Sequence, residues 1–242
     1  MAITTLAPVD IANMALSYLG ISTQVQSLTP PDATEQAKAC SFWYPICLNE
    51  LLQMAPWPFA YTSVVLASDS SLAGASGTIG GTFAFPGYPY AYQLPNDCLQ
   101  SIAVTTYAGQ RLGPAFWSSW WWPINSGMTY AIPKIPFKIV QSVANPGGQM
   151  ILCDVQATSA SPLYLFYIQA ITNTALFSPL FISALAFDIG FRVGMNLRTA
   201  NAQKVQFCQA MAKSSRLEAL AQALNAMQQD PERDSPSTMA RW

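Results

Sequence analysis

Three acids crowd one short stretch, Asp230, Glu232 and Asp234 in DPERDSPSTMARW, and closely spaced carboxylates are what general acid–base catalysis uses. They alternate with proline, arginine and serine in a stretch without helical periodicity, so they read as a solvated charge run. The other acids are dispersed, and no two in the middle of the chain are close enough in sequence to nominate a pair. Glycoside hydrolysis by two distant carboxylates stays open. The chain has no histidine, which removes the usual general base and the Ser-His-Asp type of triad. Its five cysteines, Cys40, Cys47, Cys98, Cys153 and Cys208, show no Cys-x-x-Cys spacing. Free buried thiols are expected, with no zinc site. The stretch GASGTIGGT lacks the Gly-Lys-Ser/Thr ending of a phosphate-binding loop. No metal or cofactor is therefore expected.

Aromatic chemistry is better represented. In PAFWSSWWWP, residues Trp117, Trp120, Trp121 and Trp122 lie between two prolines. Each indole can hide roughly 150–250 Å², an upper bound of about 4–6 kcal/mol apiece. The segment reads either as a local core under a long loop or as a contact surface for another subunit, a sugar or a lipid headgroup. Only Arg111 lies near it, so nucleic acid is the weaker partner.

Composition narrows the choice. Of 242 residues, 51% are hydrophobic and 10% charged, whereas soluble domains usually carry about 25% charged. Assembly that covers apolar surface is one physical answer. A membrane is the competing answer, and the candidate span is SPLFISALAFDIGFRVGMNL. It holds Asp188 and Arg192 four residues apart on one helical face, where they can pair, and both are costly in a bilayer. A buried helix is expected, without membrane insertion. MAITTLAPVDIANMALSYLG has no basic residue before its apolar run, so no export signal is visible. The net charge of −1 gives no basic field for general nucleic-acid binding.

The elements follow from punctuation and period. PVDIANMALSYLG predicts a helix capped by Gly20. After Pro30 and Pro31 a longer helix is expected to open at Asp32, with Glu35 completing a capping box. Its apolar stripe is Ala33, Ala37, Cys40, Tyr44, Cys47 and Leu51, and Pro45 should kink it. MAPWPFA stops it and places Trp57 and Phe59 at a junction. Between Phe59 and Ala170 the runs YTSVVLA, YAYQLP, SIAVTTYAG, FKIVQSV, QMILCDV and PLYLFYIQA predict a small antiparallel sheet or sandwich. A glycine-rich loop, LAGASGTIGGTFAFPGYPY, separates two of them. A helix from Pro179 to about Ala200 follows, then one from about Ala202 to Gln229 with Leu217, Leu220, Leu224 and Met227 along one face. No internal repeat and no heptad run long enough for a coiled coil is present. The last residues, ending in Met239, Arg241 and Trp242, read as an extended docking tail.

The expected fold is therefore α+β: a helical bundle formed by the N- and C-terminal helices (1–57 and 171–229), a β-rich antiparallel insertion (58–170), and an extended C-terminal tail (230–242).

Read in succession, these segments resemble the tail tubular protein A family, the head-to-tail adaptor or gatekeeper proteins of short-tailed bacteriophages. The likeness rests on IANMALSYLGI followed by SLTPPDATEQAKACSFWYPICLNELLQMAPWPFA, with Gly20, Leu28, Asp32, Ala33, Ala37, Trp57 and Phe59 in the family's order. It rests also on YAYQLPNDCLQ, similar to a Tyr-x-Leu-Pro-x-Asp-Cys step and here Tyr92, Leu94, Pro95, Asp97 and Cys98. PLYLFYIQAITNTALFSPLFISALAFDIGFRVGMNL supplies the third part. None of these motifs is catalytic, and the Trp-rich segment and glycine-rich loop look like additions to the pattern. The resemblance implies a structural virion protein rather than an enzyme. It implies a homo-oligomeric ring, dodecameric in relatives, seated at the head-tail junction between the portal protein and the tail nozzle protein. Double-stranded DNA would pass through its channel without sequence specificity. Such a protein is made in the host bacterial cytoplasm. Trp117, Trp120, Trp121, Trp122, Met239, Arg241 and Trp242 are then candidate interface residues. The rival reading is a carbohydrate-binding or surface-recognition module that uses the Trp-rich loop as its sugar platform.

Overall fold

The computed structural model describes residues 6–67, 88–106, 135–141, 148–159, 161–197 and 201–228. The segment PAFWSSWWWP, the glycines of LAGASGTIGGTFAFPG and residues 229–242 lie outside them. The fold is mixed α+β, with four α-helices and two small antiparallel sheets among the described residues. The chain divides into two compact units, one from Met1–Ala60 with Ala170–Ala226, the other built on Tyr61–Gln169.

In the helical unit, α1 spans Pro8–Tyr18. Proline in its first turn gives up no hydrogen bond, and the Asp10 carboxylate accepts from the Ala7 N–H at 2.8 Å. At its other end Gly20 takes φ +74°. That left-handed turn lets the Gly20 N–H reach the Ser17 carbonyl (2.9 Å) and the Ile21 N–H reach that of Leu16 (3.0 Å), the two bonds of a Schellman motif.

Helix α2 spans Glu35–Met54. Its N-cap is Thr34, whose hydroxyl accepts from the Ala37 N–H, and not Asp32 as the sequence suggested. Asp32 is engaged earlier in the chain, accepting from the N–H groups of Gln26 (2.6 Å) and Ser27 (3.3 Å). The helix continues through Pro45 without a break. Of the expected stripe, Ala37, Cys40, Cys47 and Leu51 are buried and Tyr44 is half-buried, while Ala33 precedes the helix and is exposed. At the C-terminus the Trp57 indole N–H donates to the Leu51 carbonyl at 2.8 Å, satisfying one of the orphan acceptors of the last turn.

Helix α3 spans Pro179–Asn196, capped by Ser178, and ends before the expected Ala200. Both α1 and α2 pack along it. Helix α4 spans Ala202–Gln228. Two glycines of α3 allow the close approach. A Cβ on Gly194 would lie 2.7 Å from Val205 and 2.8 Å from Leu19, and one on Gly190 would lie 3.3 Å from the Ala15 carbonyl oxygen and 3.4 Å from the Cys208 sulfur. The buried face of α4 is accordingly made of small residues, Cys208, Ala212, Ser215, Ala219 and Ala223. Of the expected leucine face, Leu217 is 67% exposed and Leu220 is half-buried, while the side chains of Leu224 and Met227 lie outside the described residues. A leucine row is too bulky for a seam that glycines have brought together.

The β unit contains β1 (Tyr61–Val65), β2 (Tyr90–Gln93), β3 (Cys98–Thr105), β4 (Phe137–Gln141), β5 (Gln149–Cys153) and β6 (Tyr164–Gln169). They form two antiparallel sheets of order β1-β6-β3 and β2-β5-β4. Strand β3 shifts register against β6 at Cys98/Gln100 and Ser101/Ala103. A bridge between Val104 and Ile135, with Ile135 N–H to Val104 carbonyl at 3.0 Å, ties one sheet to the chain entering the other. Tyr92, Val104, Ile151, Cys153, Leu163 and Leu165 from both sheets share one core.

Candidate functional surface

The residues nominated as an interface, Trp117, Trp120, Trp121, Trp122, Met239, Arg241 and Trp242, all lie outside the described residues. What can be placed is the framework. Trp57 and Phe59 meet α3 in an aromatic cluster, with Phe181 edge-on to both at 4.9 and 5.1 Å and Phe177 at 4.8 Å from Phe181. The Trp-x-Phe step is therefore a packed joint that holds the end of α2 on the start of α3.

In the β unit, the Leu-Pro-x-Asp-Cys step starts β3. The Cys98 N–H bonds the Pro95 carbonyl (3.0 Å), and Asp97 accepts from the Tyr167 hydroxyl (3.3 Å) and the Gln169 amide (2.6 Å) on β6. Tyr92 acts as a second clasp. Its hydroxyl accepts from the Ala157 N–H at 2.6 Å and donates to the Val155 carbonyl at 3.0 Å, and burial pushes its pKa up to about 12.

The charged residues of the helical unit pair across helices. The expected Asp188–Arg192 pair is not the one formed. Asp188 is buried and pairs with Arg216 of α4 at 2.5 Å, whereas Arg192 pairs with Glu50 of α2 and lies over the Trp43 ring at 5.2 Å. Asp188 Oδ2 and Arg216 Nε have no hydrogen-bond partner among the described residues. Arg216, Glu50 and Trp43 were not legible as partners, since each comes from a different helix than the residue it serves.

Chemically, the arrangement is one of clasps. Burial raises the pKa of Cys40 and Cys153 to about 11 and pushes Cys47, Cys98 and Cys208 up as well, with the Asp188 charge adding to the shift at Cys47. A nucleophilic thiol needs the opposite shift. No group of three or more His, Cys, Asp or Glu residues able to hold a metal occurs among the described residues. No helix among them is long and apolar enough to cross a membrane.

What the helical unit does offer is exposed apolar surface: Phe42 is 61% exposed, Met195 68%, Leu176 51% and Phe207 52%. Phe42 also packs edge-on against Trp43 at 5.1 Å, beside the Arg192 guanidinium. Tryptophan and arginine are the types enriched where binding energy concentrates. Compared with models of known protein families and with curated proteins, the chain matches none.

Proposed function

We propose that this chain is a structural virion protein, a ring-forming head-to-tail adaptor that joins the portal to the tail nozzle and forms part of the channel through which DNA leaves the head. The observation that supports this best is that the residues carrying the resemblance each perform a framework task. Gly20 ends α1, Asp32 ties the linker, Trp57 and Phe59 lock α2 to α3, and Asp97 pins β3 to β6. A helical unit assembled from both ends of the sequence around a β-rich insertion fits the same reading.

The low charge and the exposed aromatic and aliphatic side chains of the helical unit suit a subunit that meets neighbours on several sides. In this reading the protein is not an enzyme and needs no cofactor. It sits at the head-tail junction after synthesis in the host cytoplasm. A near-neutral chain also suits a channel wall, because each phosphate contact would add salt-dependent affinity for the moving DNA.

The test is the mass of the purified chain alone and after mixing with portal, followed by negative-stain imaging. A closed ring, alone or formed only on the portal, is expected. A chain indifferent to portal would overturn the reading and leave the sugar-binding alternative, which predicts quenching of tryptophan fluorescence by an oligosaccharide.

A further inference from the structure

Helix α4 has two sides that could face the rest of the helical unit, and the less apolar of them is the one buried. Cys208, Ala212, Ser215 and Ala219 are buried along one side. At about 100° per residue, Leu217 and Leu220 lie roughly 140° round the helix from them, with Arg216 in between. Leu217 is largely exposed and Leu220 half-buried. Turning the helix would hide two leucines in place of alanine and serine, a gain in apolar burial that the native arrangement forgoes.

Two devices hold α4 as it stands, and they act on different turns. Gly194 and Gly190 meet Val205 and Cys208, and the Lys204 side chain lies over Gly20, so the first turns are fixed by shape. None of the described glycines meets a residue of α4 beyond Cys208. Farther along, a charged contact takes over: Arg216 Nη2 pairs with Asp188 Oδ1 at 2.5 Å, and Asp188 is buried. Rotation toward the leucine side would carry Arg216 off Asp188 and leave a buried carboxylate uncompensated. The pair is poorly built to add stability. Desolvating both ions offsets their attraction, and Arg216 Nε has no hydrogen-bond partner among the described residues.

We infer that the Asp188–Arg216 pair is a conformational selector, which holds the small-residue face of α4 inward and keeps Leu217 at the surface. The inference rests on the helical unit alone, and it stands or falls apart from the adaptor reading.

Thiol alkylation of the full chain, read by peptide mass spectrometry, tests it, because Cys208 on α4 and Cys40 on α2 are both 0% exposed. The double variant Asp188→Val with Arg216→Met replaces both ions by apolar side chains. In it Cys208 should label about tenfold or more faster than in the wild type, while Cys40 stays protected. Adding Leu217→Gln and Leu220→Gln to that variant should restore protection, since the competing face is gone. A double variant whose Cys208 is as protected as in the wild type overturns the inference, as does labelling that the two leucine changes leave in place. Labelling of Cys40 as well also overturns it, because the pair would then hold the unit together rather than choose a face.

Discussion

Removing the Arg216 guanidinium would leave the Asp188 carboxylate in a site where its side chain is only 4% exposed. Breaking a buried pair by deleting one partner costs several kcal/mol, because the remaining charge loses its compensation. Arg216→Met should lower unfolding stability by about 3 kcal/mol in a urea titration. Arg192→Met should cost less than about 1 kcal/mol through its ion pair, because its Glu50 partner is 44% exposed and solvent screens it. A second residue-scale expectation concerns alkaline pH. Tyr92 is held protonated to about 12, while an unfolded tyrosine ionises near 10. The folded chain therefore binds this proton more tightly, and the part of the stability it contributes is intact below pH 10 and is lost as pH rises from 10 to 12. Denaturation midpoints measured across that window should decline, and Tyr92→Phe should make the decline shallower without removing it, because the buried Cys40 and Cys153 thiols titrate there too. The same variant should lose about 1–2 kcal/mol at neutral pH, because the Ala157 N–H and Val155 carbonyl lose their shared partner. The clasp at Tyr92 was visible in the sequence only as part of a motif. The Asp188–Arg216 pair was hidden because four-residue spacing within one helix pointed to Arg192, and only the approach of α4 supplied a stronger partner.

Among the elements, the α3–α4 seam is sensitive to side-chain size. Gly194→Val should overpack Leu19 and Val205 and cost about 1–3 kcal/mol, read as a fall in the thermal midpoint of the purified protein. Element type was legible because each signal was local. The six apolar runs of the middle region all contain strands, and Pro8 with Gly20 bracket α1. Faces were less legible. Leucines on α4 have helical period, but which side they occupy depends on Gly190 and Gly194 in α3, whose effect reaches across space and leaves no trace in the period of α4 itself. The cap of α2 moved from Asp32 to Thr34 for a similar reason, since the Asp32 carboxylate already serves Gln26 and Ser27.

At the scale of the whole molecule, the tail and the Trp-rich segment carry expectations that belong to assembly. A chain lacking residues 231–242 should fail to incorporate fully onto portal-containing heads, scored by co-sedimentation. Changing Trp120, Trp121 and Trp122 together to Ser should impair either the isolated fold or tail assembly, and thermal melts beside an assembly assay separate the two. The division into units has a further consequence during synthesis. Residues 61–169 leave the ribosome before α3 does, so the β unit can fold while α1 and α2 still wait for their packing partner. Until Pro179–Asn196 emerges, the apolar faces of the two early helices, with Ile11, Leu16, Leu51 and Leu52, have nothing to cover them. A nascent chain arrested after the β unit but before Pro179–Asn196 has emerged should therefore be a strong client for holding chaperones, and one arrested after that helix has emerged should not.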